Sequence, residues 1–226
     1  MPTALAALAF DVFASVLAPP RCAACDAPVP RLAVFCASCA STVEAGGHGG
    51  DGDAAFVYGG AVAQAIVRMK YESRPDLARP LGDLLWRSLA PRAGSLHGVL
   101  VVPVPLHPAR LAERGFNQSS LLARRVAGHL GAPFAPLALA RGRDTPKQAT
   151  LDREARLANV AGAFRAREAT RVGGRDVLLV DDVSTTGATL DACSHALRTA
   201  GARSVATAVL ARAGLFPAAE VSSSGP

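Results

Sequence analysis

The stretch VLLVDDVSTTGATL, residues 177–190, constrains the fold more than any other part of the chain. Its apolar run does not alternate with polar residues, so it reads as a short strand (176–180) buried on both faces, as in a parallel sheet. Two adjacent carboxylates follow, then a loop of small residues with one glycine that feeds directly into a helix over about 189–199. In open parallel sheets ligands bind beyond the carboxyl ends of strands, and backbone amides at a helix N-terminus attract anions. The amides and hydroxyls of Thr185, Thr186, Gly187, Ala188 and Thr189 can therefore wrap a monophosphate. Asp181 and Asp182 can accept hydrogen bonds from a sugar diol or help hold Mg²⁺. An acidic turn that merely caps a helix accounts for Asp182 alone and not for the whole run. No G-x-x-x-x-G-K-[ST] occurs in the chain, which argues against a P-loop nucleotidase.

The same order of elements recurs elsewhere. GVLVVPVP (98–105) reads as a buried strand, and NQSSLLARRVAGHLG opens with Asn117 as N-cap and closes on Gly131. After the helix that Gly201 stops, SVATAVLA (204–211) reads as a further strand. Residues 61–90 show helical periodicity in two pieces separated by Ser73, Arg74 and Pro75. Alternating units of this kind predict an α/β fold with a mainly parallel sheet and helices on both faces. At 226 residues the chain has room for one such domain, expected over 54–212, and a small appendage.

That appendage is marked by four of the five cysteines, C-A-A-C (Cys22, Cys25) and C-A-S-C (Cys36, Cys39). Two residues between cysteines let a turn aim both thiolates at one ion, and two such knuckles complete a tetrahedron of sulfur. With all four ligands from protein no position stays open for water, so one structural zinc is expected. Disulfides are the competing reading, disfavoured in a reducing compartment. Cys193, between Leu190 and Leu197 on a helix face, reads as a core residue. The first 20 residues lack a basic start and carry Asp11 inside their apolar run, which argues against an export signal. Leu5, Leu8, Val12 and Val16 instead suggest an amphipathic helix, so residues 1–43 form one module. Residues 44–53 read as a glycine-rich linker. The G-x-G-x-x-G at Gly47, Gly49 and Gly52, like His48 within it, lacks the flanking strand and helix of a dinucleotide site. Residues 213–226 read as a flexible tail. No segment approaches the roughly 20 apolar residues of a membrane span, so a soluble, cytoplasmic protein is expected.

The net charge of +6 is concentrated, with 13 basic and 5 acidic groups in residues 101–175. Such a centre suits an anionic ligand, either a polyphosphate or nucleic acid. Arginine makes up 22 of the 24 basic residues and alanine abounds, so biased composition contributes to this excess.

The run 177–190 resembles the signature of type I phosphoribosyltransferases that binds 5-phosphoribosyl-1-pyrophosphate (PRPP), except that Ser184 stands where many of those enzymes place an aliphatic residue. The order CAAC and CASC, VPVPLHPARLAERGFNQ (102–118), RDTPKQATLDREARLANVAGAF (143–164) and the PRPP signature is similar to the ComF family of bacterial competence-related proteins. The resemblance implies a zinc ribbon ahead of a fold of the type I phosphoribosyltransferase kind, with Asp181 and Asp182 on the ribose hydroxyls and residues 185–189 on the 5-phosphate. It further implies a pyrophosphate loop over Pro103 to Arg110 assisted by Arg114, and a mobile loop over 141–150 with Arg143, Lys147 and Gln148 as its catalytic candidates. Pro103 and Pro105 can equally serve only to end a strand, and His107 can be a plain surface residue. The activity implied is Mg²⁺-dependent transfer of ribose phosphate to an unidentified, nucleobase-like acceptor. The alternative is a non-catalytic PRPP-fold module acting in DNA uptake through single-stranded DNA or competence proteins. No base-binding hood follows residue 211; residues 54–97 or the zinc ribbon are the candidates for one.

Overall fold

Strands without polar alternation can only be satisfied inside a sheet covered on both sides, and that is how the chain arranges them. The computed structural model describes residues 19–47, 53–142 and 162–213. The expected N-terminal amphipathic helix, His48, the loop residues Arg143, Lys147 and Gln148, and the tail beyond Ala213 lie outside these residues. In chain order the strands are β1 (Asp53–Val57), β2 (Leu100–Pro103), β3 (Leu139–Arg141), β4 (Phe164–Ala166), β5 (Asp176–Ser184) and β6 (Ser204–Arg212). The helices are α1 (Ala37–Ala40), α2 (Gly60–Tyr71), α3 (Ala78–Leu89), α4 (Pro108–Arg114), α5 (Gln118–Leu130), α6 (Ala169–Val172) and α7 (Ala188–Thr199). Four strands make a sheet in the order β1-β6-β5-β2, and every neighbouring pair is parallel. β3 and β4 form a separate antiparallel ribbon.

Period-two alternation divides the central strand between two layers. Leu178 and Val180 of β5 join Leu210 of β6 and the apolar faces of α2, α3 and α5, including Ile66, Met69, Leu81, Leu85 and Leu122. Val177 and Leu179 face the other way, against Leu190, Cys193 and Leu197 of α7. Cys193 is therefore a core residue, and its burial pushes the thiol well above its ordinary pKa. α5 begins as its sequence predicts: the Asn117 side chain accepts from the amides of Ser119 and Ser120, and Gly131 ends it at φ +60°. Among the described residues no helix is long and apolar enough to cross a membrane.

Three local features differ from the sequence reading. β5 does not stop before its acids but continues to Ser184, because β6 runs beside it as far as Arg212 and supplies the ladder. β2, by contrast, ends at Pro103 opposite Val180. The segment after Pro103 is only partly loop, since α4 starts at Pro108 with the His107 ring accepting from the Ala109 amide at 3.3 Å. β1 arises where the sequence reads as the end of a linker, and Glu44–Gly47 run back along it through bonds such as Gly46 N to Ala55 O, 2.9 Å.

The cysteine segment is seated on the start of α2. The Thr42 hydroxyl accepts from the Ala61 amide at 2.9 Å and so caps a helix in a distant part of the chain. Farther along α2, Arg68 donates to the Ala23 carbonyl at 3.2 Å and pairs with Asp26. Gly60 makes this approach possible: at φ +46° it is left-handed, and a Cβ there would lie 2.4 Å from the Thr42 carbonyl oxygen. Gly60→Ala is therefore expected to lower stability by about 1–3 kcal/mol through strain and overpacking. Thr42→Val, which removes the cap and the hydroxyl's 2.8 Å hydrogen bond to the Cys39 carbonyl without a backbone clash, should cost about 1 kcal/mol. Thermal melts followed by circular dichroism check both, with the larger loss expected for Gly60→Ala.

Candidate functional site

Because β2 ends at Pro103 while β5 runs on, the last residues of β5 stand beyond the end of a neighbour, at the carboxyl edge of the sheet. Asp181 and Asp182 occupy this edge, and both are buried, at 7% and 3% exposed. Buried carboxylates need partners, and the surrounding helices provide them. The Ser119 hydroxyl donates to Asp181 Oδ1 at 2.7 Å, and the Asp182 amide donates to the same oxygen at 2.9 Å. Gln118 Nε2 donates to Asp182 Oδ1 at 3.2 Å. The ammonium of Lys70, from the last turn of α2, forms an ion pair with Asp182 Oδ2.

These contacts set the charge of the pair. Burial, then the neighbouring charge of Asp182, raise Asp181 to about 7 against the opposing pull of Ser119, the Asp182 amide and Lys70. Burial alone would lower the Lys70 ammonium, but the carboxylates of Asp182 and Asp181 reverse this and hold its pKa above the ordinary lysine value. Arg114, at the end of α4, extends the network outward. It donates to Gln118 Oε1 at 2.6 Å, and its guanidinium lies 5.4 Å from the centre of the exposed Tyr71 ring.

The loop after the acids closes a small cavity lined by Asp181, Val183, Ser184, Thr185, Thr186, Gly187, Ala188, Thr189 and Leu190. Gly187 takes φ +82°, which turns the chain from strand into α7, and it caps that helix without a side-chain hydrogen bond. The N-cap residue thus gives the leading amides of α7 no side-chain acceptor, an arrangement that suits a bound anion. Ser184 is buried as the last residue of β5, so its small side chain belongs to the strand end. A larger cavity of about 710 Å³ lies along α7 and β4, past Phe164, Ala192, His195 and Ala196, and gathers no comparable set of carboxylates.

The structure thus brings together Asp181, Asp182, residues 185–189 and, through Gln118, Arg114. Arg143, Lys147 and Gln148 fall outside the described residues, between β3 and β4. Three residues of the cluster escape the sequence reading: Lys70, Gln118 and Ser119. The signals were present but faint, since Lys70 is one of two lysines among 24 basic residues, and Gln118 and Ser119 directly follow the Asn117 cap.

The four cysteines converge independently. Their Sγ atoms lie within 4.8 Å of one another, and none of the cysteines is disulfide-bonded. A tetrahedron built on Zn–S bonds of about 2.3 Å has sulfurs about 3.8 Å apart, so the cluster fits one zinc ion after a small contraction. The four thiols share their protons unevenly: a hydrogen bond with Ser38, then the Cys39 amide, lower Cys36, while burial and the neighbouring thiols raise Cys39.

Comparison with known proteins agrees with this architecture. A family model described as phosphoribosyl transferase domain matches residues 117–216. Competence protein F of Haemophilus influenzae is 34% identical over 152 residues, which cover 66% of this chain and 66% of that protein. DNA utilization protein YhgH of Escherichia coli K12 is 34% identical over 158 residues, 69% of each chain. The chain therefore spans about two thirds of the length of these relatives. Glutamine PRPP amidotransferase from B. subtilis is a more distant structural neighbour, 23% identical with a TM-score of 0.42, covering 62% of this chain and 30% of that one. With a third of its residues shared over that span and a phosphoribosyltransferase domain matched across its acid pair and loop, the chain belongs to the ComF family.

Proposed function

We propose that the carboxyl edge of the sheet binds PRPP. The observation that carries this reading is the continuous passage from a buried acid pair on the central strand into a helix N-terminus with no side-chain cap. In this reading Asp181 and Asp182 accept hydrogen bonds from the ribose hydroxyls, while the amides and hydroxyls of Thr185 to Thr189 hold the 5-phosphate. Arg114, and the segment from Pro103 into α4, face the diphosphate. Arg143, Lys147 and Gln148 complete the closure over it. The reaction is transfer of ribose 5-phosphate: the bond from ribose C1 to diphosphate breaks, a bond from C1 to a nucleobase-like acceptor forms, and the acceptor gives up a proton. Cations and amides around the diphosphate would stabilise its departing charge. Mg²⁺ belongs to this proposal as the counter-ion that the diphosphate brings with it. Both carboxylate oxygens of Asp182 and Oδ1 of Asp181 already carry protein donors, so a Mg²⁺ ion set directly on Asp182 does not fit that donor set.

The names of the relatives, competence and DNA utilization, support a place for this activity in the handling of DNA, and single-stranded DNA or competence proteins are the partners this reading proposes. Exposed Arg124 on α5 belongs to the basic central region that would meet DNA phosphates electrostatically. PRPP stays the better-defined ligand of the two, because in this reading the acid pair and the start of α7 supply named partners for each of its parts.

Calorimetric titration of PRPP, with Mg²⁺ present, tests the reading. Asp181→Asn with Asp182→Asn should weaken binding more than a hundredfold while the protein stays folded, since charge-assisted hydrogen bonds contribute about 1.5–3 kcal/mol each. Unchanged affinity in the double variant would show that the fold is shared and the ligand is not.

A pH effect follows from Asp181. Its folded pKa is raised to about 7, whereas in the unfolded chain it ionises near 3.9, so the native state keeps a proton that the unfolded state has lost. The stability this group contributes is complete below about pH 4 and is lost as pH climbs through about 7. Urea unfolding at pH 5 and pH 8 should show that fall, and Asp181→Asn should make it smaller.

We also infer that the four-thiol cluster holds one structural zinc. Purified protein should contain one zinc per chain, and Cys22→Ser should release it and lower the melting temperature, because such sites contribute about 10–16 kcal/mol of apparent binding free energy. Metal analysis of protein prepared under reducing conditions decides this, and two disulfides without metal would overturn it.

A further inference from the structure

Two carboxylates buried side by side need a counter-charge, which in a nucleotide site is commonly a divalent cation. Here the protein already holds one. The Lys70 ammonium pairs with Asp182 Oδ2 while Gln118 occupies Oδ1, and Ser119 with the Asp182 amide occupies Asp181 Oδ1. Magnesium demands about six oxygen ligands in near-ideal octahedral geometry, so seating it on Asp182 would require evicting an ammonium and an amide. Lys70 is not on the surface by accident of length, since its side chain is only 18% exposed and stands at the inner end of α2.

We propose that Lys70 is the resident cation of the acid pair, filling the role of a divalent metal in the ligand-free protein. It is a positioning residue, keeping the Asp182 carboxylate oriented until a ribose diol takes the ammonium's place on it. The flexible four-carbon stem then lets the displaced charge follow the phosphates of the ligand. This assignment rests on the phosphoribosyl reading for its ligand, but the counter-ion role itself does not.

The test uses the full zinc-loaded chain and four proteins: wild type, Lys70→Gln, Asp182→Asn, and Lys70→Gln with Asp182→Asn. Free Mn²⁺ is followed by electron paramagnetic resonance in the absence of any other ligand. Lys70→Gln should acquire a Mn²⁺ site at least tenfold tighter than any in the wild type, and the added Asp182→Asn should abolish it. Thermal melting gives a second readout, in which Lys70→Gln melts lower than wild type and the double variant recovers most of the loss. Should Lys70→Gln fail to fold, a folded double variant supports the pairing and an equally unfolded one overturns it. A wild type that binds Mn²⁺ as tightly as Lys70→Gln, with Asp182→Asn removing the site from both, also overturns the proposal. PRPP titration without metal separates the two readings: Lys70→Gln should lose at least tenfold in affinity and regain it with Mg²⁺. A wild type that binds no PRPP under any condition defeats the phosphoribosyl reading, while the Mn²⁺ and melting results still decide the role of Lys70.

Discussion

Two carboxyl groups on consecutive residues of a buried strand are the costliest feature of this molecule, and much of the surrounding structure can be understood as their accommodation. An unpaired carboxylate inside a protein costs several kcal/mol, so the strand can carry such residues only where donors converge on them. That condition is met at one place in the sheet, where β2 has ended and β5 continues. The vacated edge is filled by the first turn of α5, whose Gln118 and Ser119 reach Asp182 and Asp181, and by the last turn of α2 with Lys70. Placing the Asn117 cap one residue before Gln118 fixes where that turn begins. A shift of one residue in the helix start would rotate Gln118 by about 100° away from the acid it serves.

What the sequence revealed, and what it hid, divides along the same line. Features written in consecutive residues were legible: the β5 to α7 passage, the Asn117 and Gly131 boundaries of α5, and the cysteine knuckles whose Sγ atoms do meet. The pairing of Lys70 with Asp182 was not, because nothing local to either residue announces the other. Lys70 sits in a run, AVAQAIVRMKYE, whose periodicity reads as an ordinary amphipathic helix. The length of β5 was underestimated for a related reason. Charged residues read as the end of a strand when only the strand itself is considered, yet β6 supplies a ladder through Ser184 and Arg212 that overrides the local signal. α4 was hidden by prolines, since Pro103, Pro105 and Pro108 together suggest a turn, although Pro108 in fact opens a helix at its first position.

The short strands β1, β3 and β4 were missed because three to five residues give too little pattern to distinguish strand from loop. Their positions nonetheless matter. β3 and β4 bracket the segment that carries Arg143, Lys147 and Gln148, so both ends of that segment are tied to an antiparallel ribbon. β4 packs in turn through Phe164 into the layer of α7, the helix whose N-terminus adjoins the acids.

Helix α2 joins the two chemically distinctive parts of the chain. Its N-terminus is capped by Thr42, three residues after the last cysteine, and Arg68 near its C-terminus grips the carbonyls of Cys22 and Ala23. Two residues beyond Arg68, on the same turn, Lys70 enters the acid pair. A helix rises only about 1.5 Å per residue, so the grip on the cysteine knuckle and the grip on Asp182 are separated by about 3 Å along one rigid element. Any displacement of the knuckle that carried Arg68 with it would carry Lys70 as well. The cysteine module is therefore more than an appendage to the sheet: by holding α2 from its first turn to its last, it fixes the depth at which the ammonium meets the carboxylates.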